Sequence, residues 1–159
     1  MTEDLVDDSW LRLDNQICFA LHAASRAFNA VYRDALQELG LTYPQYLVML
    51  VLWEHGELGV KQIGERLRLD SGTLSPLLKR LEGNGLVRRE RSAADERSVT
   101  VRPTAAGAAL REQAAELPRR VAAATGLDMA AVADLRDRIN RLTAALDTAG
   151  LPGSPTDCG

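Results

Sequence analysis

Between residues 86 and 102 the hydrophobic pattern of this chain changes period, and that change limits the folds open to it. On either side apolar residues recur every three or four positions, the spacing of helices. Within the window Val99 and Val101 alternate with polar neighbours. Leu86 to Arg91 and Arg97 to Arg102 therefore read as two short strands, joined across the turn-prone Ser92 to Glu96 into a hairpin tipped with charge. The fold class that follows is mainly α with one small β-hairpin.

The helices around the hairpin have legible ends. Leu13, Ile17, Leu21, Ala24, Phe28, Val31 and Ala35 predict one long amphipathic helix over residues 11–38, stopped at Gly40. Thr42, Pro44 and Gln45 supply a cap, a first-turn proline and the capping-box partner of a second helix that runs past Trp53 to Gly56 and Gly59. Val60, Ile63 and Leu67 predict a short third helix. Ser71 is the expected cap of a fourth, whose Leu74, Leu77, Leu78 and Leu81 form a core stripe ending near Gly83 to Gly85. Two short helices joined at Asp70–Ser71 suggest helix-turn-helix. After the hairpin, Thr104 begins an alanine-rich helix bent or broken by Pro118 and closed at Gly126. Asp128 begins a last helix with Val132, Leu135, Ile139, Leu142 and Leu146 on one face. Residues 151–159 hold two prolines and two glycines and are expected to be disordered.

At 159 residues the chain fits a single domain, and 46% hydrophobic with 26% charged residues is the balance of a soluble, core-forming protein. The start is acidic (Glu3, Asp4, Asp7, Asp8) and no apolar run is long enough to span a bilayer, so a cytoplasmic protein without a membrane partner is expected. Cys18 and Cys158 are too far apart in sequence to read as a disulfide framework, and no His/Cys cluster has zinc spacing. Neither a metal nor a cofactor is expected.

The net charge of −3 conceals an asymmetry. From Lys61 to Arg102 ten basic residues face six acidic ones, leaving the rest of the chain strongly acidic. A basic module on an acidic body fits a DNA partner, although a solvated charged face would look the same. In the DNA reading the fourth helix enters a major groove with Ser71, Thr73, Ser75, Pro76, Lys79 and Arg80, and the hairpin reaches the flanking backbone or minor groove with Arg91 and Arg97. The outer helices, residues 11–55 and 104–148, carry more apolar stripe than so small a body can cover. A homodimer reading palindromic double-stranded DNA with its 56–103 segments satisfies both features.

These residues carry a family resemblance. SGTLSPLLKRLEGNGLV (residues 71–87), DERSVTVRPT (95–104) and the order of elements resemble the MarR family of dimeric winged helix-turn-helix regulators. LDNQICFALHAASR around Cys18, together with LTYPQYLVMLVLWE (41–54), is similar to the branch that represses organic-hydroperoxide resistance. The likeness spans residues 11–148. It implies a repressor, not an enzyme, in which Cys18 is the peroxide sensor, organic hydroperoxide is the inducer, and Tyr32 and Tyr43 hydrogen-bond to the thiol. Oxidation would release the operator of a peroxide-detoxification gene.

Fourteen positions separate Cys18 from Tyr32, about 21 Å along one helix. The tyrosine contacts that the resemblance implies must then come from the partner subunit. Phe19, Leu21 and Trp53 are the apolar neighbours expected to favour organic peroxides. His22 stands one turn beyond Cys18, where some relatives carry an aromatic hydroxyl, and Pro103 stands where leucine is common. Asp95 and Arg97 are expected to pair and hold the wing tip. Some members of the branch use a second cysteine in the helical C-terminal region, which here holds none around residues 120–126. A mixed disulfide with a low-molecular-weight thiol is the implied alternative, with Cys158 as a possible resolving thiol. Two other readings stay open: a MarR-type repressor answering a small phenolic or aromatic ligand, with Cys18 structural, and a thiol peroxidase, which would leave the basic hairpin unexplained.

Overall fold

The computed structural model describes residues 8–95 and 97–149, so Cys158 and the expected disordered tail lie outside the described residues. The chain forms two compact units, one through Leu117 and one from Pro118 onward. In the first, two 3-10 turns (Asp8–Leu11 and Leu13–Asn15) lead into α1 (Ile17–Leu36), and a further 3-10 turn (Gln37–Leu39) leads to α2 (Tyr43–His55). There follow β1 (Leu58–Gly59), α3 (Val60–Leu67), α4 (Ser71–Gly83), β2 (Val87–Arg91), β3 (Val99–Pro103) and α5 (Ala105–Ala114). α6 (Leu117–Ala124) begins at the boundary, and α7 (Met129–Thr148) follows it.

The hairpin belongs to a three-stranded antiparallel sheet ordered β1-β3-β2. Val101 at its centre faces Arg89 on one side and Leu58 on the other. The two-residue β1 is invisible to periodicity, because Gly56 and Gly59 read only as the end of a helix. The core of this unit sits where the sheet meets α2, α3 and α4, with Leu52, Ile63, Leu78, Leu81 and Val101 all buried. The predicted α4 stripe of Leu74, Leu77, Leu78 and Leu81 is the buried face of that helix.

Local chemistry explains most boundaries. The capping box at Thr42 is complete: the Thr42 amide donates to Gln45 Oε1 at 3.0 Å and the Gln45 amide donates to Thr42 Oγ1 at 3.4 Å. Thr104 and Asp128 cap α5 and α7 as expected. Three expectations need correction. The helix placed at 11–38 is α-helical only from Ile17 to Leu36, with 3-10 turns at both ends. Asp70, not Ser71, caps α4, its Oδ1 accepting the Thr73 amide at 2.7 Å. A carboxylate one residue earlier reaches the free amide that the serine, already inside the helix, cannot. The break between α5 and α6 falls before Pro118, which is the second residue of α6, a first-turn position that needs no amide donor.

The exit from the sheet is tied to the end of α4. Thr104 donates its amide to the Leu86 carbonyl at 3.0 Å and its hydroxyl to the Gly85 carbonyl at 2.6 Å. Gly107 donates its amide to Thr104 Oγ1 at 3.1 Å, and its carbonyl accepts the Trp53 indole N–H at 2.9 Å. At Gly107 the backbone of α5 comes so close that an added Cβ would strike the Leu86 carbonyl oxygen. This knot joins α2, α4, the wing and α5 at one point. Pro103, the unusual residue at the exit, ends β3 opposite Val87.

Candidate functional sites

The surface of α4 is polar and open to solvent. Ser71, Thr73, Ser75, Pro76, Lys79 and Arg80 are all exposed, opposite the buried leucines. The amide and hydroxyl of Thr73 hold the Asp70 carboxyl below the usual carboxylate range. The turn before it contains Arg68 with φ of 56°, a left-handed conformation that closes α3 and that non-glycine residues rarely adopt.

The wing is braced by its own ion pairs. Glu82 near the end of α4 accepts the Arg89 amide at 2.9 Å and its guanidinium at 3.1 Å, fixing β2 to α4. Those same contacts hold the Glu82 carboxyl low. Across the strands Arg102 pairs with Glu90 at 2.9 Å. Two of the ten basic residues thus serve the fold, whereas Arg91 and Arg97 lie exposed towards the wing tip. Asp95 holds the tip through the backbone: Oδ1 accepts the Arg97 amide at 3.0 Å and Oδ2 the Ser98 hydroxyl at 3.3 Å. The pairing expected between Asp95 and Arg97 is therefore made to the amide. If Arg97 meets DNA phosphate, Arg97→Ala will weaken binding to all sequences alike and lower the slope of log K against log salt by about 1 per subunit. Arg102→Ala, measured in the same titration, is expected to leave the slope nearly unchanged.

Cys18 and Tyr32 lie towards opposite ends of α1. Cys18 lies exposed in the first turn, and His22 is exposed one turn on. Tyr32 is on the far side of the same unbroken helix, so the separation of about 21 Å stands. Tyr32 instead packs on Tyr43, ring centroids 4.6 Å apart, and on Tyr46 at 5.8 Å. Tyr46 in turn meets the edge of Trp53 at 6.4 Å. Trp53 is committed to this cluster and to its bond with Gly107. Tyr46 was not among the residues singled out from sequence, although its three-residue spacing from Tyr43 on α2 puts both on one face.

Burial pushes all three phenols up, Tyr32 to about 12, helped there by Tyr43 and Tyr46. They are un-ionised hydrogen-bond donors at neutral pH. Because the folded state favours the protonated phenol, its contribution to stability is complete below about pH 10, where an unfolded tyrosine titrates. It is lost as pH rises towards 12. An alkaline absorbance titration should therefore show phenolate appearing later in the native than in the denatured protein; coincident curves would show the cluster to be solvated.

Among the described residues no group of three or more His, Cys, Asp or Glu could hold a metal, and no helix is long and apolar enough to cross a membrane.

The sequence family described as transcriptional regulator SarA/Rot matches residues 30–113. The organic hydroperoxide resistance transcriptional regulator of Bacillus subtilis is 46% identical over 138 residues, covering 87% of this chain and 92% of the relative. The chain belongs to the MarR/SarA-type winged-helix transcriptional regulators. The resemblance to the hydroperoxide-resistance branch is borne out by the same match. Among solved structures, reduced AbfR bound to DNA is similar with a TM-score of 0.73 and 34% identity, covering 87% of this chain and 97% of that one. AbfR of Staphylococcus epidermidis in its disulfide form is 35% identical with a TM-score of 0.60, covering 89% and 94%.

Proposed function

We propose that this regulator is a dimeric, DNA-binding repressor that senses organic hydroperoxides through Cys18. Residues 56–103 are its reading head, with the exposed face of α4 in a major groove and Arg91 and Arg97 on flanking phosphate. Residues 11–55 and 104–148 are the dimerisation elements. Large apolar side chains on each remain outside the core: Ile17 at 66% exposure and Phe28 on α1, and Leu146 at 62% and Leu135 on α7. Such faces are what an interface covers.

The observation that carries the sensing role is the placement of Cys18: exposed, in the first turn of α1, on a helix whose other end holds a cluster of protonated phenols. A hydrogen bond to sulfur needs heavy atoms within about 4 Å, far short of the span along α1. In the dimer Tyr32 and Tyr43 of one subunit donate to the Cys18 thiolate of the other. The thiolate attacks the distal oxygen of the hydroperoxide, the O–O bond breaks, the alkoxide leaves as alcohol, and sulfur becomes sulfenic acid. Condensation with a small cellular thiol, or with Cys158, then expels water and leaves a disulfide. Phe19 and Leu21 favour an organic substituent on the peroxide. The B. subtilis relative is named for organic hydroperoxide resistance, and AbfR has been crystallised reduced on DNA and as a disulfide; both support this reading.

The test is a gel shift on the DNA upstream of the protein's own gene. Binding by the reduced protein and release by cumene hydroperoxide are expected. Binding that ignores hydroperoxide but yields to a phenolic acid would replace this reading with the small-ligand one.

A further inference from the structure

If Cys18 is the sensor proposed above, its helix supplies a second polar group beside the thiol, in addition to the tyrosine contacts. Cys18, His22 and Arg26 follow one another at four-residue spacing on a single helix, and all three are exposed. Residues four apart are neighbours on a helix surface, with Cβ atoms about 5–6 Å apart. Among the described residues His22 has neither a hydrogen bond nor an ion pair, so its ring is available to reach back over the turn towards Cys18. Side chains in a helix lean towards the N-terminus, which is the direction of the thiol.

We infer that His22 is the general acid of the sensing step, its imidazolium protonating the alkoxide that leaves when the Cys18 thiolate takes the distal peroxide oxygen. The balance is complete: thiolate, hydroperoxide and imidazolium give sulfenic acid, alcohol and neutral imidazole, which solvent reprotonates. Sulfur loses the two electrons that the peroxide bond gains.

The phenols are poorly suited to this role. A good general acid gives up its proton readily near the working pH, whereas burial holds the Tyr32 phenol at about 12. The tyrosines are suited to hold the thiolate, leaving the departing oxygen to a different donor. Besides His22, charged and titratable groups stand on α1 and on the elements packed against it. On its own helix Cys18 and Arg26 flank it, with Tyr32, Arg33 and Asp34 further along. The elements packed on α1 carry Arg12 and Asp14 before it, Glu38 after it, and Tyr43, Tyr46, Glu54 and His55 on α2.

The discriminating comparison is between two reactions of the same thiol in the full-length protein. Oxidation by cumene hydroperoxide, followed by trapping the sulfenic acid, needs a proton for its leaving group; alkylation by iodoacetamide expels iodide and needs none. His22→Gln should slow oxidation roughly ten- to hundredfold, the lower range of general-acid effects, and change alkylation by no more than about twofold. His22→Lys keeps a cation but is a far weaker acid, so it should oxidise as slowly as the glutamine variant. In the wild type, the ratio of oxidation to alkylation should fall as pH rises from 5 to 8, and in both variants it should stay flat. Oxidation and alkylation slowed together, or neither slowed, would overturn the assignment while leaving Cys18 the sensor. A wild-type Cys18 that alkylates but does not react with hydroperoxide would instead sink the sensor reading, and this one with it.

Discussion

Gly107→Ala should lower the stability of the protein by about 2–3 kcal/mol, near the upper part of the range for overpacking. In a chain of this size that is a fall of about 4–12 °C in melting temperature. The sign runs against helix propensity, since alanine is better than glycine inside a helix by about 1 kcal/mol. Geometry decides the outcome. The new Cβ would meet the Leu86 carbonyl oxygen, with its carbon at 3.0 Å and the Met49 methyl at 3.2 Å. Two of those atoms are backbone, and that carbonyl already accepts the Thr104 amide, so α5 must retreat. Retreat strains the bonds from Thr104 to Gly85 and from Trp53 to Gly107 at once. Gly83→Ala is the internal comparison. It lies in the last turn of α4 with nothing within 4 Å of an added Cβ, and it should be neutral or slightly stabilising in the same denaturation experiment. Equal effects at the two sites would show that α5 does not press on the wing as described.

The reach of sequence reasoning in this chain follows the range of the interactions. The α4 stripe, the Thr42 box and the caps at Thr104 and Asp128 were legible because each is set by steps of no more than four positions along the chain. The hairpin was legible from its change of period. β1 was not, because two residues have no period and its strand character comes only from pairing with Val101 and Thr100. Asp70 displaced Ser71 as a cap through a one-residue difference that composition does not resolve. The Glu82–Arg89 brace, seven residues apart across a helix end and a turn, has no pattern of its own. The tyrosine pair was legible through family resemblance, and helix rise alone separated Tyr32 from Cys18. Tyr46 joined the cluster only when α1 and α2 were packed together, a tertiary fact. Gly107 was unremarkable in an alanine-rich run, since the carbonyl that forbids its side chain belongs to a residue 21 positions earlier.

Cys18→Ser should leave operator binding within about twofold of the wild type and abolish release by organic hydroperoxide. The hydroxyl matches the thiol in shape, and Cys18 lies on an exposed face of α1 rather than in the core, so neither fold nor reading head depends on sulfur. In the proposed mechanism the response depends on it wholly, because a serine hydroxyl is not oxidised by peroxide. The required energy is modest. Passing from nine-tenths bound to nine-tenths free at constant protein needs operator affinity to drop about eightyfold, or ~2.6 kcal/mol. Under that mechanism both phenols can still donate to a serine hydroxyl, whereas oxygen added to sulfur and the disulfide that follows displace them, at about 1.5–3 kcal/mol for each hydrogen bond to the charged thiolate that is lost. In the proposed symmetric dimer that loss would occur twice, at the interface proposed to set the spacing of the two α4 helices. Even a partial transfer of it to DNA binding is sufficient. Tyr32→Phe, which removes one donor and keeps the ring, should accordingly weaken the reduced protein's hold on DNA while narrowing the gap between reduced and oxidised states. If Cys18→Ser still lets go of DNA when cumene hydroperoxide is added, the trigger is elsewhere. If Tyr32→Phe leaves that gap at full size, the tyrosine of the partner subunit is not what the oxidised sulfur releases.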